Sequence, residues 1–373
     1  MSNHSSESQI FKPPLYSEHL RLNGKMISFA GWLMPVQYEK GIISEHIHTR
    51  ENVSLFDICH MGELEISGAG AADALDRIFP RSVSAMKIGT CRYNFLLTEQ
   101  GTVVDDLIIY RLSPDDFFLV VNASRKKDDF DYLSELLPCD VELKDVSSKI
   151  AKLDLQGPAA AEVLINSGLS QAELPSYYQF RKLSLFGEDV LVSRTGYTGE
   201  LGYELYFDVD SVVSVWKKLL DYPEVEPAGL GARDTLRLEM GYPLYGHEMD
   251  LNTTPLEAGF SNLIKFEQDK EFIGKNTLFN SEPQKKLFGI ALEGRRACRK
   301  GAEIFYNETR VGYVTSGGFS PSLSNSIALG YIDSASNPQI GMICQINIGR
   351  TVLNGKLVEL PFYKNSSIKN NIG

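Results

Sequence analysis

Cysteine is scarce in this chain: five in 373 residues, an odd number, widely spaced, with no C-x-x-C. That argues against a disulfide framework or a structural zinc site and fits a reducing, cytoplasmic setting. Positive charge is also short. Lys and Arg number 37 against 48 Asp and Glu, a net of −11, which disfavours a nucleic-acid binder. No apolar run approaches the roughly 20 residues that cross a bilayer, so no membrane association is expected. The first residues lack the cationic start and apolar core of a secretory signal, and there is no Arg before Arg21, a poor match to a mitochondrial presequence. There is no P-loop, no G-x-S-x-G and no H-E-x-x-H. Gly68-Ala69-Gly70 has Asp73 where a dinucleotide fingerprint needs its third glycine, and a carboxylate there would repel a pyrophosphate. His46 and His48, two apart on a helix, point to different faces and read as surface histidines rather than metal ligands. His60 reads as structural or as a pocket wall. No metal is expected.

The composition is otherwise that of a globular protein, 43% hydrophobic and 23% charged, and its length suggests two or three domains. The charge is uneven. From Ile264 to Gly373 there are 14 Lys/Arg and 9 Asp/Glu, a net of +5, which leaves −16 for residues 1–263. Apolar periodicity predicts helices over 42–52, 71–79, 125–137, 159–166, 211–220 and 231–241, among strands such as SLFDI, GELEISG, CRYNFLLT, KIAKLDL and YELYFDV. The hairpin DLIIYRL/FFLVVN turns at Ser113-Pro114-Asp115. From Leu287 the pattern changes to short strands with Gly turns, the mark of a small β-barrel. The class is therefore α+β.

Three patches carry chemistry. Asp105-Asp106 opens a strand, and successive residues point to opposite faces, so only one can face a pocket. A register summing to about 227 sets Asp105 across from Asn122. The alternative is that the two acids end a turn and Asn122 or Ser124 caps the next helix. In RTGYTGELGYEL (194–205), three glycines in seven residues allow close ligand approach. Glu204 there can accept two parallel N–H bonds from an amino-pyrimidinone edge; a solvated hairpin glutamate is the alternative. In GARDTLRLEMG, Arg233 sits in a first helical turn, against the helix dipole, and calls for an acidic partner or ligand. Arg237 has Asp234 and Glu239 as possible ion-pair partners.

Together with FAGWLMP, SLFDICHMGE, GTVVDDLIIY, VVNAS, LQGP, AGLGARDTLRLEMGYPLYG, TTPLEAGF, TSGGFSP and LPFY, these patches resemble the glycine-cleavage T-protein, or aminomethyltransferase, family from about Leu15 to Tyr363. The resemblance implies a three-domain cloverleaf around a central cavity with a C-terminal β-barrel. Residues 1–13 are expected as a flexible lead and 14–286 as two interleaved α+β units, roughly 14–55 plus 140–230 and 56–139 plus 231–286. The barrel is expected over 287–364 and a flexible tail over 365–373. It implies transfer of a one-carbon unit from the aminomethylated lipoyl arm of H-protein to tetrahydrofolate. The products are 5,10-methylenetetrahydrofolate and ammonia, within a system that also includes P- and L-proteins. It assigns catalysis to Asp105, with Asp106 pointing away, and folate contacts to Glu204, Arg233, Asn122, Tyr197, Tyr93, Met61 and Tyr363. The same fold serves iron–sulfur-assembly proteins, whose K-G-C-Y-x-G-Q motif is missing here, and flavoenzymes that need an N-terminal dinucleotide domain. A non-catalytic folate-binding protein is the other alternative. Arg295, Arg296, Arg299 and Lys300 in RRACRK are a candidate docking face for H-protein, which is generally acidic, with a solvated loop as the plainer reading.

Overall fold

A computed structural model describes residues 10–266 and 270–370. In chain order the first half comprises α1 (Tyr16–Arg21), the hairpin β1 (Lys25–Phe29) and β2 (Trp32–Gln37), α2 (Gly41–Glu51), β3 (Val53–Asp57), β4 (Gly62–Ser67), α3 (Ala71–Ile78), β5 (Cys91–Leu97), β6 (Val103–Arg111), β7 (Asp116–Val121), α4 (Lys126–Leu136) and β8 (Glu142–Asp145). It continues through β9 (Ile150–Gln156), α5 (Ala160–Asn166), β10 (Phe180–Leu185), β11 (Glu188–Ser193), β12 (Gly202–Asp208), α6 (Val212–Leu220), β13 (Val225–Ala228), α7 (Leu230–Met240) and α8 (Lys275–Asn280). The last strands are β14 (Lys285–Leu292), β15 (Glu303–Tyr306), β16 (Thr309–Ser320), β17 (Asn325–Asp333), β18 (Ile343–Asn347) and β19 (Val352–Val358).

Apart from the two-stranded hairpin β1-β2, these make three bodies. One is a six-stranded sheet, ordered β10-β11-β12-β9-β3-β13, in which β13 runs parallel to β3. The second is a five-stranded sheet ordered β5-β6-β7-β4-β8, and the third is a closed barrel, β14-β17-β16-β15-β18-β19. Each open sheet buries one face under its own helices. Leu153, Leu155, Leu205 and Phe207 pack with Trp216 and Leu219 of α6 and Leu164 of α5, while Leu64, Leu107, Ile109 and Leu119 pack with Leu75 of α3 and Leu133 of α4. Because side chains alternate along a strand, the other faces of the two sheets are left to meet one another. They do so through Tyr110, Phe118, Val120, Phe180 and Tyr206. The site lies along that meeting.

Some expectations shift. β8 pairs with β4, so the five-stranded sheet continues past residue 139. β3, beginning at Val53, belongs wholly to the other sheet. Of the N-terminal lead, residues 1–9 lie outside the described residues, but Phe11 is hydrogen-bonded into the chain at Gly31 and Leu33. The tail is tied down as far as Asn370: Ser367 N–H donates to Glu200 Oε2 at 3.1 Å, and the Arg194 guanidinium donates to the Asn370 carbonyl at 2.5 Å. Its Ser/Asn composition resembles a loose end, yet buried charges elsewhere recruit those polar groups.

Candidate active site

The acidic pair on β6 is sorted by strand alternation. β6 and β7 pair as Ile108↔Val120 and Tyr110↔Phe118, a register summing to 228. One more step sets Asn122 across from Asp106, not Asp105. Shifting a register by one residue exchanges the faces, and the burial agrees. Asp105 is 0% exposed and lies on the helix-covered side with Leu107 and Ile109. Asp106 is half-buried and shares its face with Ile108 and Tyr110. The expectation that Asp105 faces the cavity and Asp106 points away is thus reversed.

Asn122 links the two. Its amide nitrogen donates to Asp105 Oδ1 at 2.8 Å and Asp106 Oδ1 at 3.0 Å, and its backbone N–H to Asp105 Oδ2 at 3.0 Å. It does not cap α4, whose N-cap residue is Arg125. Tyr93 O–H donates to Asp106 Oδ2 at 2.8 Å. Burial, reinforced by the neighbouring Asp105 charge, pushes Asp106 up to about 7. Burial also raises Asp105, against the bonds from Asp129 and Asn122. Behind it Asp129, 0% exposed on α4, is pushed up to about 11 by burial and by Asp105. Asp129 is therefore the neutral, proton-bearing member of that pair.

Glu204 on β12 is 3% exposed, not a solvated turn residue. Lys152 Nζ lies 2.8 Å from Oε1, and the hydroxyls of Thr195, Tyr206 and Tyr110 donate to Oε2 at 2.7, 2.9 and 3.2 Å. Burial alone would raise this carboxyl. Lys152, Thr195 and Arg233 outweigh it and hold it down at about 2. Arg233 has found its acid: NH1 donates to Asp154 Oδ2 at 2.6 Å. Its guanidinium also lies 4.9 Å over the Tyr197 ring, which stacks on Tyr242 at 5.8 Å. Tyr197 donates its O–H to the Pro243 carbonyl and is close enough to Asp106 to feel its charge. Met61 packs in the cluster of Tyr110, Phe118 and Val120. His60, 4% exposed, is pulled down to about 4 by burial and so stays neutral near pH 7.

Asp106, Asn122, Tyr93, Tyr197, Arg233, Glu204 and Met61 thus fall along one seam between the sheets. Tyr363 makes other contacts. Its ring lies 4.1 Å from the Arg50 guanidinium, and its backbone N–H donates to the Glu239 carbonyl. Sequence reasoning misses Lys152 and Asp154: KIAKLDL scans as an apolar strand, and only the spacing of Lys152 and Asp154, two apart, marks a second, polar face. The glycines of RTGYTGELG serve packing more than ligand approach. A Cβ at Gly196 or Gly202 would meet the Gln156 side chain at 2.1 and 2.4 Å, and only Gly199 has a positive φ, +81°. His46, expected on the surface, is 0% exposed and hydrogen-bonded to Thr235 and Ser322, because α2 is pinned between α7 and the barrel.

The family models agree with this architecture. One described as the GCVT N-terminal domain matches residues 15–268, and one described as the glycine cleavage T-protein C-terminal barrel domain matches 285–364. The chain belongs to the glycine cleavage T-protein family. It is 40% identical over 363 residues to an aminomethyltransferase of Pseudothermotoga lettingae, covering 95% of this chain and 98% of the relative. It is 41% identical over 359 residues to one of Halothermothrix orenii, covering 94% and 99%. The crystal structure of glycine cleavage system aminomethyltransferase T from Bartonella henselae superposes with a TM-score of 0.89 at 34% identity, over 95% of this chain and 98% of that one. The chain is accordingly a transferase, an aminomethyltransferase of the glycine cleavage system, and its family implies use of a folate. Among the described residues, no helix is long and apolar enough to cross a membrane.

Proposed function

We propose that the seam between the sheets holds tetrahydrofolate, with its pterin edge on Glu204 and N5 and N10 towards Asp106, and receives the aminomethyl group from the lipoyl arm of H-protein. The carbon–sulfur and carbon–amine bonds break and bonds from carbon to N5 and N10 form. The two protons leaving those nitrogens go to the thiolate and to the departing amine, giving dihydrolipoyl H-protein, ammonia and 5,10-methylenetetrahydrofolate. The observation that carries this reading is Asp106: a half-buried carboxyl at about 7, oriented by Tyr93 and Asn122. A carboxyl poised near neutral pH can take a proton from a folate nitrogen and, ionised, stabilise positive charge on the transferred carbon. Asp105, held by Asn122, is then a positioning group. Arg233 and Tyr197 line the ligand, and Tyr93 and Met61 close the wall behind Asp106.

Arg295, Arg296, Arg299 and Lys300 are exposed on the loop between β14 and β15, which supports a basic docking face for an acidic H-protein. The free thiols, four buried and Cys139 exposed, suit a cytoplasmic protein.

The test is ammonia release from aminomethylated H-protein with and without tetrahydrofolate. Asp106→Asn should lower turnover by about 100-fold with little change in folate affinity, and Asp105→Asn should cost less. Wild-type turnover in Asp106→Asn would overturn the assignment. A matching variant with the four basic loop residues reversed should lose the salt dependence of turnover; an unchanged salt dependence would remove the docking face.

A further inference from the structure

Asp154 stands directly across from Glu204 on the adjacent antiparallel strands β9 and β12. Like charges in that position repel, so the sheet tolerates them only with compensation. It comes from two cations. Lys152, two residues earlier on the same face of β9, reaches Glu204 Oε1 at 2.8 Å, and Arg233 of α7 reaches Asp154 Oδ2 at 2.6 Å. With both acids ionised, two acids and two bases close into a quartet with no net charge.

The two acids are not equally served. Glu204 receives a donor on each oxygen, four in all. Asp154 is 0% exposed, yet its Oδ1 meets no donor among the described residues. A buried carboxylate oxygen left open is costly, and native structures rarely leave one without reason. Two neighbours share the condition: His60 Nδ1 and Glu63 Oε1 are also buried without partners among the described residues, and both feel the charge of Lys152. The seam therefore presents unmet polar atoms, the Asp154 oxygen first among them, beside a carboxylate already read as the ligand's anchor. A reduced pterin is rich in donors: an exocyclic amine and ring N–H groups on both rings.

We propose that Asp154 is a second carboxylate of the pterin subsite, accepting a ligand N–H at Oδ1 while Arg233 holds Oδ2, with Lys152 as the counter-ion that lets two acids face one ligand. The proposal rests on the folate reading of Glu204. Its ionisation supplies an independent readout. Burial and the Glu204 charge push Asp154 up to about 7, against Arg233 and Lys152. Of the other groups in the seam, Asp106 also stands at about 7 and is the same in wild type and variants, so only the difference between them reports Asp154; Glu204 is ionised well below that pH, His60 is neutral, burial keeps the Glu63 proton on, and burial raises the Tyr110 and Tyr206 phenols. Asp154 is thus the member of the quartet that gains or loses its proton between pH 6 and 8, and a ligand N–H needs the ionised form.

Tetrahydrofolate is titrated calorimetrically into the full-length wild type, Asp154→Ala and Asp154→Asn at pH 6, 7 and 8, with melting temperatures measured in parallel. The wild type should bind more tightly as pH rises. Both variants should bind about tenfold more weakly at pH 8 and show a flatter pH dependence, the isosteric Asn variant serving if the Ala variant is poorly folded. Variants that keep wild-type affinity and pH slope while melting earlier would overturn the proposal, leaving Asp154 as a structural partner of Arg233. A wild type that binds no tetrahydrofolate at any pH would instead defeat the folate reading itself.

Discussion

Two networks of buried charge meet on α7 and are finished differently. Arg233 looks into the seam, to Asp154, Glu204 and Lys152. Glu239, nearly two turns on, looks towards the barrel. There Arg50 of α2 reaches Glu239 Oε2 at 2.9 Å and Glu200 Oε1 at 2.7 Å. Ser320 and Ser322 of the barrel side fill Glu239 Oε1, and Ser367 of the C-terminal stretch fills Glu200 Oε2. Both carboxylates are satisfied on both oxygens; the Arg50 Nε is the atom left over. In the seam, by contrast, Asp154, Glu63 and His60 each carry a buried polar atom without a partner among the described residues. A saturated network ties elements together, while an unsaturated one is waiting for a donor. Glu204 is itself saturated, so it is the open Oδ1 of Asp154 that sets the seam network apart from the staple.

Breaking the staple should have the largest effect. Arg50→Met strands two buried carboxylates and should cost about 3–5 kcal/mol of stability by chemical denaturation, while tetrahydrofolate affinity stays within about twofold. The seam should respond in reverse. Glu204→Gln alone would leave the Lys152 ammonium buried and unpaired, so the informative variant is Glu204→Gln with Lys152→Met. Removing both charges together should be nearly neutral for stability and weaken folate binding by about 1.5–3 kcal/mol, the worth of a charge-assisted pair. If the double variant unfolds while its folate affinity holds, the two networks have been assigned the wrong way round.

Much of this was legible before any coordinates. The switch to strands near Leu287 announces the barrel that begins at Lys285, and Arg233, placed against its helix dipole, demanded the acid that Asp154 supplies. What failed did so for identifiable reasons. The hairpin register was off by one residue, which in a period-two element transfers the pocket from Asp106 to Asp105. Lys152 and Asp154 hid in a strand whose other face is Leu153 and Leu155, because a polar face turned to a second sheet looks, in sequence, like one turned to water. The resemblance places Tyr363 in the folate site, while its contacts here are with Arg50 and the Glu239 carbonyl. The contact with Arg50 joins residues more than 300 positions apart, and no local pattern encodes it.

Acid provides the finest separation of the two networks. Burial tends to raise Glu239, but His46, Arg50 and Ser320 hold it down at about 2. A carboxyl depressed in the folded state stabilises fully above its unfolded value, near 4.5, and loses that contribution as pH falls towards 2. Asp154 is raised to about 7, so its effect has the opposite sign: the folded state binds the extra proton between pH 7 and its unfolded value near 3.8, and stability gains as pH falls through that window. The stability gap between wild type and Glu239→Gln should therefore be constant from pH 7 to 5 and narrow below 4.5, by at most about 1.4 kcal/mol per pH unit. The gap between wild type and Asp154→Asn should change between pH 7 and 4 and level off below. Urea midpoints across that range test both, and two gaps that move in the same window would mean that the networks titrate as one.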